Sequence, residues 1–276
     1  SKKFKSLNWY FNIIDYITMD TYLFIDLSYF IFYLYYARKK YFEFKEKPLD
    51  NLIHNEEFLE GFKSFDIKIN QIKKKLNLPN TTKIIFGKDC KRKEIWRNKL
   101  YPNYKKSRKE NNEIGEFFAY AYKNVIEKYI YIENQHCEAD DVIGVLTKHL
   151  YEKNKIYIIT GDHDYLQLLY NENVQIYNMK FKSLREKSCG NNSNDLMLKI
   201  LIGDSSDNIN SIHKKLGPKT AQKYIENNDL LIKKLEDEEI KNNYELNKKL
   251  IDMNEIPINY IEEILNKFKK IEYIYT

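Results

Sequence analysis

Three cysteines, two tryptophans and five histidines in 276 residues leave little material for several kinds of chemistry. Cys90, Cys137 and Cys189 are odd in number, far apart and free of any C-x-x-C spacing. That argues against a disulfide framework and against a zinc site, and for reduced, packed thiols in an intracellular compartment. No apolar run is long enough for a membrane span. The longest, Tyr22 to Tyr36, is broken by Asp26 and Ser28 and reads as strand, turn and helix. Residues 1–20 read as an N-terminal extension. They carry Trp9, Tyr10, Phe11, Ile13 and Ile14, but Asp15 and Asp20 interrupt the apolar stretch and no small-residue cleavage site follows, so a secretory signal is not expected. Neither an internal repeat nor a long flexible linker is evident. Charge is not of one sign either: 46 basic side chains face 40 acidic ones, for a formal net charge of +6. With 43% hydrophobic and 15% aromatic residues, the chain can bury a substantial core as one globule.

What is present is a series of carboxylates at the ends of apolar segments. Tyr22–Asp26, Lys83–Asp89 and Lys155–Asp162 each run as a buried strand into an aspartate, the last continuing to Asp164. Continuous apolar runs separated by helical stretches predict a parallel sheet covered on both faces, with ligands beyond the carboxyl ends of the strands. Glu138-Ala-Asp140-Asp141 precedes the periodic apolar residues Val142, Ile143, Val145, Leu146 and Leu150 and so opens a helix. Asp204 and Asp207, three apart, sit at another helix start, and Gly217-Pro-Lys219-Thr220 follows where backbone N–H groups can meet phosphate.

A lone aspartate after a strand is ordinarily a turn or cap residue, and acids in a first helical turn are favoured by the helix dipole. Five such groups in sequence are another matter. Packed carboxylates repel and raise one another's pKa unless cations neutralise them. An all-oxygen set without His or Cys suits Mg²⁺, with Mn²⁺ as a substitute, and two such ions can stabilise the attacking and leaving oxygens of a phosphodiester displacement. Between Lys88 and Lys109 there are ten basic residues and two acids, a local bias that suits a polyanion. Gly217-Pro-Lys-Thr lacks the G-K-[ST] order of a phosphate-binding loop, so a P-loop nucleotide hydrolase is set aside.

These motifs resemble those of the metal-dependent 5′ nucleases, which include flap endonucleases, the 5′-nuclease domain of bacterial DNA polymerase I and phage 5′-exonucleases. The resemblance covers residues 20–226. Phe24-Ile-Asp26 with Ser28 to Phe32 looks like the opening strand and helix. Asp89 with Trp96-Arg97 and Leu100 to Arg108 looks like the second acidic motif and its basic helix. Glu138 to Asp141 and Thr160 to Asp164 resemble the third and fourth, and Gly203 to Thr220 resembles the helix-three-turn-helix that grips a duplex. The resemblance implies a PIN-like α/β nuclease domain over 21–190 and a helical DNA-binding region over 191–276, packed together as a monomer.

It further implies a first metal site from Asp26, Asp89, Glu138, Asp140, Asp162 and Asp164, and a second completed by Asp141, Asp204 and Asp207. Lys105 becomes an electrophilic stabiliser of the scissile phosphate and Arg108 its partner, both on a helix over the site. Tyr104 is placed to stack on an unpaired base, and Arg97, Gly217, Lys219 and Lys223 are expected to contact DNA. The implied substrate is branched or nicked DNA, or an RNA–DNA hybrid, in replication or repair, with replication proteins as further partners and a PIN-like ribonuclease or a non-catalytic nucleic-acid binder as the alternatives. Two features depart from the family pattern. The turn Ile209 to Leu216 lacks the glycines that accompany a bound K⁺, and the interval from Arg108 to Glu138 is short for a helical arch. Residues 41–80 read as a charged insert with a helix from Glu56 to Leu76, and Tyr260 to Phe268 as a helix packing behind the phosphate-binding motif.

Overall fold

A computed structural model describes residues 19–108 and 112–275. The expected extension as far as Thr18, with Trp9 to Ile14, and Lys109 of the basic segment lie outside the described residues.

Five parallel strands form one sheet: β1 (Thr21–Asp26), β2 (Lys83–Lys88), β3 (Tyr131–Glu133), β4 (Lys155–Ile159) and β5 (Val174–Tyr177), in the order β3-β2-β1-β4-β5. The order reverses on either side of β1, which places the switch point, and the crevice expected there, at the ends of β1 and its neighbours. Strand alternation divides the core in two. Tyr22, Phe24, Ile156 and Ile158 face one side with α6 (Ala139–Leu150) and α11 (Ile258–Tyr275), while Leu23, Ile25, Phe86 and Ile159 face the other. That second face is covered by α1 (Leu27–Phe44), α2 (Glu56–Lys63), α3 (Phe65–Lys75) and α5 (Asn112–Ile126).

The stretch expected as one helix from Glu56 is two, and it is no mere insert: Phe58, Phe62, Phe65, Ile69 and Ile72 are buried in the core on this side of the sheet, each worth about 1.5–3 kcal/mol relative to exposure. A short turn of helix, α4 (Arg97–Leu100), follows β2. Beyond β5 the described residues carry the helices α7 (Asn192–Ile202), α8 (Pro218–Glu226), α9 (Asn228–Lys234) and α10 (Glu238–Ile251), with a core of Leu201, Ile212, Leu216, Ala221, Tyr224 and Leu231. A second apolar cluster, Ile95 and Tyr104 with Ile200, Ile209, Leu250 and Ile251, ties these helices to the sheet region. The last helix departs from expectation. Its Ile264 and Phe268 bury on α6 and the sheet rather than behind α7 and α8, because the apolar face of α6 needs a cover that the sheet alone does not give.

Candidate active site

The carboxylates are brought together by where the strands stop. Asp26 ends β1 and caps α1, accepting from the Tyr29 amide at 3.0 Å. Asp89, just past β2, accepts from the Ala139 amide at 2.8 Å, a helix N-terminal donor that favours negative charge, and from the Ser28 hydroxyl, which also meets Tyr122 at 2.8 Å. That junction requires Gly87, since a Cβ there would stand 2.7 Å from Ile143 and 3.0 Å from the Ala139 carbonyl. Without a side chain at Gly87, α6 can dock on β2 and carry Glu138 and Asp140 to Asp89. Asp162 follows β4, its carboxylate accepting from the Asp164 amide at 2.9 Å. Asp26, Asp89, Glu138, Asp140 and Asp162 line one cleft of about 1040 Å³, with Lys105, Arg108 and Arg92 on its wall.

A second acidic group stands beside it. Oxygens of Asp164, Asp204 and Asp207 lie within 4.8 Å of one another, as do those of Glu138, Asp140 and Asp141. The turn holding Asp204 depends on Gly203, whose φ of +71° and 2.4 Å approach to the Asn210 carbonyl admit no side chain. Both groups consist of oxygen donors, which fit hard divalent cations rather than zinc.

Electrostatics follow from this crowding. Burial, with Asp89 and Asp162 alongside, pushes Asp26 up to about 7. Burial raises Asp89 too, and burial with Asp141 and Glu138 nearby raises Asp140 well above the carboxylate range. Glu138 goes the other way: burial opposes its charge, but Lys105 and Arg97 beside it hold it low. Lys199 reaches both Asp164 and Asp204 at 2.6 Å. Asp164, more deeply buried and next to Asp162, still rises to about 6, whereas Asp204 is held at about 2, its lesser burial outweighed by Lys199 and Ser206. Cys90 lines the cleft as well, but burial and the neighbouring carboxylates push its thiol up to about 12, so it is no thiolate nucleophile.

Several sequence-based expectations are corrected here. Arg97, expected at the DNA, is turned inward: it is 2% exposed, forms a fork with Asp141 at 2.7 and 2.8 Å, and donates to the Leu250 carbonyl at 2.6 Å. Asp141 in turn is fully buried, its oxygens shared among Arg97, the Trp96 indole and the Glu138 amide. Asp164, not Asp141, joins Asp204 and Asp207. Tyr104 is 6% exposed and donates to Glu138 at 2.8 Å, so its ring offers no face to a base. Lys105 and Arg108 are not on a helix. Tyr101 to Arg108 is a succession of turns with Lys105 at φ +54°, pinned through Lys105 N–H to the Asp207 carbonyl at 3.0 Å and through Ser107 to Asn208 at 2.8 Å. The pinning delivers Lys105 to Glu138 and within 3.5 Å of Asp207, and Arg108 to Asp207.

Lys199 is not legible as a site residue in the sequence because it lies inside an apolar helix, where its spacing of five residues before Asp204 is the one available signal. Gly217 caps α8 with open space around it, and Lys219 and Lys223 are exposed on the same helix. They stand apart from the cleft, which they do not line. Among the described residues no helix is long and apolar enough to cross a membrane.

A family model for the 5′-3′ exonuclease N-terminal, resolvase-like domain matches residues 21–194. Ribonuclease H of Enterobacteria phage T4 is 31% identical over 228 residues, spanning 72% of this chain and 75% of that protein. The 5′-3′ exonuclease of Mycoplasmopsis pulmonis is 28% identical across 93% of this chain and 92% of its own length. Among solved structures, the bacteriophage T5 flap endonuclease in a pseudo-enzyme-product complex with DNA and metal ions shares the fold. Its TM-score is 0.65 at 17% identity, over 91% of this chain and 98% of that one.

Proposed function

Because the chain belongs to the 5′-3′ exonuclease family, we propose that it is a structure-specific 5′ nuclease that hydrolyses phosphodiester bonds in branched or nicked DNA, including RNA-primed 5′ ends, during replication or repair. The observation that carries this reading is the cleft at the carboxyl ends of β1, β2 and β4, where five carboxylates face Lys105 and Arg108. Divalent ions, Mg²⁺ in the cell with Mn²⁺ able to replace it, would supply Lewis-acid stabilisation of the attacking and leaving oxygens. Asp26, Asp89, Glu138, Asp140 and Asp162 are the residues to hold one ion, and Asp164, Asp204 and Asp207 the other.

The chain's own groups do the rest. Asp26, raised to about 7, carries a proton for much of the time at neutral pH, which its carboxylate would have to release to hold a cation. Lys105 and Arg108, set on a loop anchored to the Asp204–Asn208 turn, give fixed positive charge for the phosphate in the transition state. The Gly217 N-terminus of α8, with Lys219 and Lys223, is the proposed grip on the duplex backbone, which positions without specifying sequence. In this reading residues 21–190 form the nuclease part and 191–257 the DNA-binding helices, with α11 belonging to the nuclease core and the whole acting as a monomer.

The test is cleavage of a 5′-labelled flap duplex beside a matched single strand and an RNA–DNA hybrid, with Mg²⁺ and with EDTA. Metal-dependent cutting near the flap junction is expected. Cutting of single-stranded RNA alone would point instead to a PIN-like ribonuclease, and no cutting with either ion to a binding module.

A further inference from the structure

We propose that α1 carries a stacking track for the unpaired 5′ strand, running from the cleft along Tyr36, Lys40 and Phe44. The inference rests on the 5′-nuclease reading and extends it to a surface outside the acidic site. The core-facing side of α1 is accounted for by Leu27, Phe30, Ile31, Tyr35 and Phe42. Its opposite side is not polar. Phe32, Tyr36 and Phe44 are 39%, 47% and 81% exposed, and Lys40, also exposed, falls between the last two. The four residues follow one another at i+4, so they are neighbours along a slowly winding stripe. At 1.5 Å per residue the stripe is about 18 Å long.

Three observations point to a nucleic-acid strand as its occupant. The stripe starts in the catalytic cleft, whose wall includes Phe32 and Phe118, two rings 4.5 Å apart in an edge arrangement. It is thus continuous with the place where the substrate phosphate must lie. The rings of Phe32 and Tyr36 are already nearly parallel, 10° between planes with centroids 6.4 Å apart, an arrangement that presents flat faces in succession. The surrounding charge is of the right sign: from Arg38 to Lys47 there are five basic and two acidic residues. Arg38 and Lys47 are turned to Glu57 on the flank, while Lys40 stands on the stripe itself and Lys45 lies 5.5 Å from the Phe44 ring. Aromatic platforms interleaved with cations take unpaired bases of any sequence, whereas a base-paired duplex has no open faces to offer them. Phe32 and Tyr36 also rest on Phe118 and Tyr35, but the faces they leave to water, in line with the Phe44 ring, form a contiguous apolar stripe that packing does not account for.

The test compares binding in EDTA of duplexes whose 5′ arm is one nucleotide or roughly eight, for the wild-type chain and for Tyr36→Ala/Phe44→Ala. Stacking worth a factor of about five or more per base predicts that the wild type binds the long arm at least about tenfold more tightly than the short one. The variant is expected to lose most of that gain, to bind the short arm as the wild type does, and to cut a nicked duplex with Mg²⁺ at an unchanged rate. Tyr36→Trp/Phe44→Tyr, which keeps the rings, is expected to retain the gain, which separates stacking from a folding defect. A wild type with no dependence on arm length, or an alanine variant that keeps it, overturns the track and leaves the stripe to a protein partner. The two readings fail separately: a wild type that cuts no substrate overturns the nuclease, while the arm-length dependence of binding still decides the track.

Discussion

Taking the ion-free protein from about pH 5 to pH 8 should destabilise it, the opposite of what salt-bridged carboxylates usually do. The cause is Asp26. Its carboxyl is raised from 3.8 to about 7 because it is buried next to Asp89 and Asp162. Between about pH 4 and 7 the folded chain therefore holds a proton that the unfolded chain has released, and stability falls with pH wherever the native state binds more protons. The whole shift of roughly three units at 1.36 kcal/mol each amounts to about 4 kcal/mol, of which about 2.7 kcal/mol is lost between pH 5 and pH 8, because the first unit of the shift lies below pH 5. Asp164, raised to about 6, acts in the same direction over a narrower window. Asp204, held at about 2, contributes stability that is lost only as pH falls through its own range, so it stays constant across the experiment. Divalent ions bind the deprotonated cluster and stabilise the folded state by mass action. The assay is urea unfolding at pH 5, 6, 7 and 8, in EDTA and with excess Mg²⁺. The expected outcome is a declining midpoint in EDTA and a Mg²⁺ gain that grows with pH. A midpoint in EDTA that is flat or rises from pH 5 to 8, or a Mg²⁺ gain equal at both ends, would refute the reasoning.

Three further predictions concern single residues. Arg97→Met should cost about 3–5 kcal/mol in urea unfolding, because it leaves the buried Asp141 charge uncompensated, and Arg97→Met/Asp141→Leu should recover most of that loss. Lys199→Met removes the cation shared by Asp164 and Asp204. It should lower stability in EDTA and tighten Mn²⁺ binding measured by calorimetry, since the ion no longer competes with a tethered amine; weaker Mn²⁺ binding would contradict this. Asp162→Asn should abolish Mg²⁺-dependent cleavage while leaving flap-DNA binding largely intact, and substantial residual activity would sink the assignment of the metal residues.

Much of the fold was legible where a segment was long or ended in chemistry. Strands β1, β2 and β4 carry five or six residues of apolar run and stop at aspartates, so the sequence pattern reveals them. Strands β3 and β5 have only three and four residues, too few for a period to register, and they pair because β2 and β4 offer them edges. The start of α6 was readable from Glu138 to Asp141 before an apolar periodicity. Arg97 and Tyr104 illustrate the limit. A basic or aromatic residue in a basic segment reads as a nucleic-acid contact, yet their direction depends on which neighbour needs neutralising or filling.

The linear sequence by itself determined which carboxylates terminate the strands, because apolar runs must be buried and their charged ends must emerge at one edge of a parallel sheet. Only the tertiary structure decided how those carboxylates are shared out. Arg97 withdraws Asp141 from the cleft, the loop pinned by Asn208 brings Lys105 and Arg108 in, and Lys199 draws Asp164 toward Asp204. Charge pairing falls steeply with distance and with water. It is therefore set by which side chains the packed helices bring within a few ångströms of one another, and sequence spacing does not encode that.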